Sequence, residues 1–264
     1  MEGKGGEMSG RAKGRRRKIT PLSKTFEERP QDQIHSQGEE DVDQFPFPFR
    51  FWILACVQLI CGAAVYLGLW IVPYLMGGLS IIFQPVETLR ICFVVAFPVI
   101  LFSFSMLRLQ PEICPVWWAA FRGFLSLPIG MIVASFIATI FGAPVSYESA
   151  VRTLHWGALV STLTVVPVAA VAGGSWPMWH QLFAATKPNG PLELALCLPA
   201  HGAAIGSWVG AWPMPLDWER PWQEWPVCCT YGAVGGYLLT VFVSLGWNAV
   251  NLRQSSKGEE EKAK

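Results

Sequence analysis

Apolar runs of about twenty residues, separated by short clusters of charge, proline and glycine, set the rhythm of this chain from residue 51 to residue 248. A bilayer core about 30 Å thick needs about 20 apolar residues per helical crossing. Six stretches meet or approach that length, near 51–72, 89–107, 123–141, 153–173, 194–212 and 227–248. In lipid a helix satisfies its own backbone hydrogen bonds. The expected fold class is therefore all-α: a polytopic membrane helical bundle of about six transmembrane helices. The second span is the shortest, because Arg90 and Arg108 bracket only 17 uncharged residues. Both must snorkel to the interfaces for it to cross, and a re-entrant segment there would invert the topology that follows.

The ends of the chain break the rhythm. Residues 1–48 hold 9 of the 20 Lys and Arg together with 9 acids, and no aromatic precedes Phe26, so they form an expected disordered tail. The six-span domain is expected over 49–252 and a second polar tail over 253–264. No apolar segment follows the basic start closely enough for a cleaved signal peptide to be expected. Arg15-Arg16-Arg17-Lys18 has the composition of a nuclear address or a lipid-binding patch, but beside six spans it reads as a topology anchor. No nucleic-acid partner is expected.

Charge also orients the bundle, since short loops rich in Lys and Arg stay cytosolic. The two tails and the loops at 108–122 and 174–193 carry 17 of the 20 basic residues, leaving Arg90, Arg152 and Arg220 for the other side. Both termini are expected to be cytosolic, with the 142–152 and 213–226 loops facing the opposite compartment.

Within the spans, small residues recur at four-residue spacing: Gly202, Gly206 and Gly210, and again Gly232 and Gly236. Such stripes let helix backbones approach closely, either inside this bundle or against a partner's membrane helix. Pro73, Pro98, Pro128, Pro167 and Pro199 fall in or near spans and are expected to kink them. Kinks could open a lipid-accommodating groove. No Asp, Glu, Lys or Arg lies well inside a span, which argues against an ion-coupled transporter. His155 and His201 read as structural histidines in preference to metal ligands or proton carriers. The seven cysteines lack metal-site spacing and read as small packing residues.

The densest chemistry lies in Pro213–Trp225, PMPLDWERPWQEW. It carries Asp217, Glu219, Arg220 and Glu224, whereas the 23 residues before Asp217 and the 28 after Glu224 are uncharged. Prolines 213, 215, 221 and 226 favour turns and extended backbone over regular helix. Trp212, Trp218, Trp222 and Trp225 suit the head-group layer, and Arg220 can grip a phosphate or carboxylate with two hydrogen bonds. Two readings stay open. One is an aromatic belt with a local Asp217–Arg220 or Glu219–Arg220 ion pair, and the other is a head-group or partner contact. The chain has no His-rich motif, no Gly-rich phosphate loop and no carboxylate pairs at metal-ligand spacing, so no catalytic residue and no metal site are expected in it.

The stretch from Gly206 to Pro226, with its DWERPW core, closely resembles the hallmark of the PIG-F family. That family comprises small multi-spanning subunits of glycosylphosphatidylinositol (GPI) ethanolamine-phosphate transferases. Phe141-Gly-Ala-Pro144 and Ser161-Thr-Leu-Thr-Val-Val-Pro167 agree with it, so the resemblance covers about 141–245. It implies a non-catalytic companion in the endoplasmic reticulum membrane that binds and stabilises a larger multi-spanning catalytic subunit. It further implies that this partner, with a lumenal domain holding a divalent metal expected to be zinc, moves phosphoethanolamine from phosphatidylethanolamine to the second and third mannose of the GPI precursor. On this reading Asp217, Trp218, Glu219, Arg220 and Trp222, with Gly142 and Pro144, form a surface that docks the partner or guides its lipid, the GPI precursor or phosphatidylethanolamine. The alternatives are a lipid scramblase or transporter, or a stand-alone lipid head-group transferase, in the same membrane.

Overall fold

Each of the six apolar runs forms a helix. The computed structural model describes residues 47–109 and 114–262, with side chains for 51–109 and 114–254. Helix α1 (Phe47–Tyr66) passes through a π-helical stretch, Leu67–Ile71, into a last turn, Val72–Leu75. Then follow α2 (Pro85–Met106), α3 (Val116–Ile140), α4 (Tyr147–Ala172), α5 (Pro191–Ala211) and α6 (Val227–Lys262). All six are long and apolar enough to cross a membrane, and no strand occurs among the described residues. The expected disorder of 1–48 lies outside the described residues, apart from positions 47 and 48, which open α1.

The second span is a continuous helix of 22 residues. Arg90 sits in its second turn on an exposed face and pairs with Glu87 at 3.0 Å. Arg108 lies past its end, where the guanidinium Nε donates to the carbonyl of Cys114. Both cations are thus held at the helix ends, as crossing requires. Two features depart from the expected boundaries. The 174–193 loop contains a short helix, Trp176–Trp179, running into a π-helical turn, His180–Ala184, whose Leu182 is fully buried. Helix α6 also continues unbroken through position 252 to Lys262.

Helix α4 is the centre of the bundle: in its apolar 18-residue stretch 78% of residues are buried, against 17% in that of α3, whose outer face is apolar and exposed. Its hydroxyls are used for packing. Ser161 donates to the carbonyl of Leu127 at 3.1 Å on α3, while Ser135 of α3 donates to that of Thr153 at 3.2 Å. Thr162 and Thr164 donate to carbonyls one turn back, at 2.7 and 2.8 Å. The imidazoles do the same: Nδ1 of His155 bonds the carbonyl of Val151, and that of His201 the carbonyl of Cys197, each at 2.8 Å. This geometry matches the structural reading of both histidines. All seven cysteines are free thiols, and all but the exposed Cys56 are buried.

The glycine stripes of α5 and α6 face one another. A Cβ on Gly206 would lie 2.1 Å from the carbonyl oxygen of Gly232, and one on Gly236 would lie 2.1 Å from that of Gly202. Of the two uses the spacing allowed, these stripes serve packing within the bundle.

Candidate functional site at the loop end of the bundle

The 213–226 loop begins where α5 ends, in a chain of tight turns. The amides of Trp212, Met214 and Leu216 donate three residues back, to the carbonyls of Val209, Ala211 and Pro213 at 3.1, 3.1 and 3.2 Å. A further turn follows, the Trp218 amide donating to the carbonyl of Leu216 at 2.9 Å, then left-handed Glu219 and extended Arg220, one 3-10 turn at Pro221–Gln223 and a cis Trp225–Pro226 peptide at the entry to α6. Proline punctuation therefore yields turns and extended chain here, as the sequence predicts.

Gln223 holds this loop together. It is 8% exposed, and its side-chain Nε2 donates to the carbonyls of Pro213 at 2.7 Å and Leu216 at 2.9 Å. Its Oε1 accepts from the amide of Arg220 at 2.9 Å. One buried amide thus ties the start of the loop to its middle. A second anchor fixes the loop to the bundle. Trp225, buried, donates through its indole nitrogen to the hydroxyl of Thr153 at 2.9 Å, and its ring lies 5.2 Å from that of Trp156. Neither residue was among those singled out for a site. The signal available in the sequence was only that Gln223 is an uncharged polar residue amid tryptophans, and its partners lie 7 and 10 positions away.

Fastened in this way, the loop turns its chemistry outward. Asp217, Trp218, Glu219 and Arg220 are exposed and Trp222 is half-buried, with the Trp218 and Trp222 rings 5.9 Å apart. The local ion pair expected as one reading, Asp217–Arg220 or Glu219–Arg220, does not form. The ion pairs among the described residues are Arg90–Glu87 and a loose Arg152–Glu224 contact at 3.9 Å. The backbone gives the reason: Glu219 adopts φ +48°, a left-handed turn that takes the neighbouring side chains out of pairing register. The carboxylates of Asp217 and Glu219 and the guanidinium of Arg220 have no protein partner among the described residues.

Gly142 and Pro144 sit at the same end, in the turn between α3 and α4. Gly142 has φ +102°, its amide donates to the carbonyl of Thr139 at 3.1 Å, and that of Ala143 donates to Ala138 at 2.9 Å. This pair of bonds is a Schellman stop, which needs glycine at the left-handed position and tolerates proline just beyond it. Ser146 then caps α4 by accepting from the amide of Ser149 at 3.3 Å. The two sequence motifs meet through α4, whose Arg152 and Thr153 receive the loop about 9 Å along the helix from that cap. No direct bond between the two sets of predicted residues occurs among the described residues. Nor do any three His, Cys, Asp or Glu side chains there come together in a group that could hold a metal.

Comparison with known proteins covers most of the bundle. A model of the GPI biosynthesis protein family Pig-F matches residues 66–245. The chain belongs to the Pig-F family. The Pig-F match begins at Tyr66, the last residue of α1, well upstream of the motifs near 141, and takes in the 213–226 loop and the turn at Gly142. Among Pig-F relatives, a human protein named GPI ethanolamine phosphate transferase, stabilizing subunit, is 30% identical over 207 residues, covering 76% of this chain and 94% of the relative. The mouse protein of the same name is 27% identical over 206 residues, with the same coverage. An Aspergillus fumigatus protein named Glycosylphosphatidylinositol anchor biosynthesis protein 11 is 35% identical over 108 residues, covering 40% of this chain and 34% of the relative. No solved structure matches the chain. This Pig-F protein is a multi-pass membrane protein with an accessory role in GPI biosynthesis.

Proposed function

We propose that this chain is the non-catalytic subunit of a GPI ethanolamine phosphate transferase, and that its 213–226 loop is the contact through which it holds the larger catalytic subunit. The reading rests on the human stabilizing subunit, similar over nearly its whole length. The loop supports it: a surface fixed from beneath by Gln223 and Trp225 presents two carboxylates, a guanidinium and the exposed indole of Trp218, while Trp222 packs its inner side on the core. Exposed aromatic and arginine side chains on a rigid base are the usual anchors of an interface. Gly142 and Pro144 contribute by shaping the neighbouring turn.

On this reading the protein lies in the endoplasmic reticulum membrane with both termini cytosolic and the loop in the lumen. The partner carries the divalent metal, zinc, and transfers phosphoethanolamine from phosphatidylethanolamine to the second and third mannose of the GPI precursor. This chain supplies binding and stability to that partner. The test is capture of the tagged protein from mild detergent, comparing wild type with the Asp217→Ala, Glu219→Ala, Arg220→Ala triple variant at matched abundance. Recovery of an ethanolamine phosphate transferase by wild type, with loss in the variant, is expected. Equal recovery by both would move the contact elsewhere, and turnover of phospholipid by the purified chain alone would overturn the non-catalytic role.

A further inference from the structure

The outward side of α5 carries a polar atom that lipid cannot satisfy. Gly202, Gly206 and Gly210 turn one side of this helix onto α6. On the outward side Leu198, His201, Ile205, Trp208 and Trp212 recur at intervals of three and four residues, which sets them in one row. Ile205, Trp208 and Trp212 are 59%, 64% and 71% exposed, while Leu198 and His201 are half-buried. Pro213, the first residue of the 213–226 loop, follows Trp212 directly, so the row leads into the loop.

His201 sits at the middle of the span. Helix α5 runs Pro191–Ala211, so position 201 is ten residues, about 15 Å, from either end. At that depth a charged imidazole is costly and the ring is neutral. Its Nδ1 meets the carbonyl of Cys197 at 2.8 Å and must carry the ring's proton, which leaves Nε2 as a lone-pair acceptor. Nε2 has no hydrogen-bond partner among the described residues, and it is not one of the polar atoms sealed inside the bundle. The His180–Ala184 turn flanks only the cytosolic half of the row: the Leu182 carbonyl accepts from Sγ of Cys197 at 3.4 Å, and the Phe183 ring lies 6.0 Å from that of His201. From His201 to Trp212, about 17 Å along the helix, the row is open.

Acyl chains fill this depth of a bilayer and offer no N–H or O–H, and the head groups lie about 15 Å away. A membrane helix can supply the donor. We propose, on the reading of this chain as a transferase subunit, that a membrane helix of the catalytic partner packs on the open half of the row, with a hydroxyl or carboxamide donating to Nε2 of His201. Spacing of three and four residues is that of a helix–helix seam, and one polar side chain in such a seam fixes the register of the pair. Because the row ends where the 213–226 loop begins, one partner can hold both, its lumenal part on the loop and its helix on α5.

The test puts a photoreactive phenylalanine analogue in place of Ile205 or, as a control, of Phe136, which is equally exposed on the outer face of α3. Membranes holding the full-length tagged protein are irradiated, and the protein is captured with its transferase in mild detergent. A cross-link to the transferase from position 205 and none from 136 is expected. His201→Leu should release the captured transferase about threefold faster than wild type, the share of one hydrogen bond between membrane helices. His201→Gln restores an acceptor and should bring the rate back. If His201→Leu does not fold, the cross-link decides. Wild type that brings down no transferase overturns the proposal together with the subunit reading. A transferase that comes down without a cross-link from position 205 overturns the proposal and leaves that reading standing. So does a cross-link from 205 to a second copy of this chain, or an unchanged release rate in a folded His201→Leu variant.

Discussion

The indole nitrogen of Trp225 donates to the hydroxyl of Thr153 at 2.9 Å, joining positions 72 apart in the chain. This bond fixes the loop before α6 to the first turns of α4, the most buried helix, and Thr153 is itself anchored by donating to the carbonyl of Ser149 at 2.7 Å. Thr153→Val and Trp225→Phe each remove the bond and should each cost about 1–2 kcal/mol. Because both act on one interaction, a double-mutant cycle should show a coupling of about 1 kcal/mol. Denaturation of the purified protein in detergent measures it. Additive losses would mean that the two residues contribute only through packing.

Gln223 carries a different kind of load, since its amide bonds three backbone groups across the loop, the carbonyls of Pro213 and Leu216 and the amide of Arg220. Gln223→Leu keeps the volume while removing all three bonds and taking from the Arg220 amide its partner, and each lost bond should contribute about 1 kcal/mol to the loss. The effect should be local. Limited proteolysis should cut within 213–226 far faster in the variant, while the six helices stay protected. Unchanged cleavage would show that the loop holds its shape without this amide.

These two anchors also mark the limit of what could be read beforehand. The spans were legible because hydrophobic length is a one-dimensional property. Even the short second span appears as Pro85–Met106, its cations at the ends where snorkelling puts them. The loop was legible as chemistry, since charge and proline stand out against apolar neighbours. Its internal wiring was not, because Trp225 finds Thr153 only after α4 and α6 are packed, and Gln223 resembles any surface glutamine until the turns around it close. The Asp217–Arg220 and Glu219–Arg220 pairs failed for a similar reason: proximity in sequence says nothing of the left-handed turn at Glu219. The short helix at Trp176–Trp179 escaped because four residues carry no period.

Asp217, Glu219 and Arg220 make no ion pair among the described residues and lie exposed, so the fold should be indifferent to them. Replacing each singly by alanine should move stability by no more than about 0.5 kcal/mol, the ordinary range for surface positions. Thermal unfolding in detergent checks this, and it matters for the partner test. A stability loss well above that range would mean the residues act on the loop itself, and a lost partner in the triple variant would then report misfolding.

The contact between α5 and α6 makes the sharpest demand on residue type. A methyl group on Gly206 would sit 2.1 Å from the carbonyl oxygen of Gly232, and one on Gly232 would sit 2.1 Å from that of Gly206, so the two backbones touch where these residues cross. The obstacle on each side is backbone, which cannot rotate away as a side chain can. Gly206→Ala or Gly232→Ala must therefore push the helices apart, and a forced core expansion costs about 1–3 kcal/mol or more. Gly235 lies in the same helix as Gly232, is exposed, and has nothing within 4 Å of the position its Cβ would take. Gly235→Ala should be neutral or slightly stabilising, because alanine favours the helix by about 1 kcal/mol. Midpoints of thermal aggregation for the three variants decide the question. A Gly206→Ala protein as stable as Gly235→Ala would mean that α5 and α6 are not in backbone contact. The stripes would then be free to pack against a partner's membrane helix.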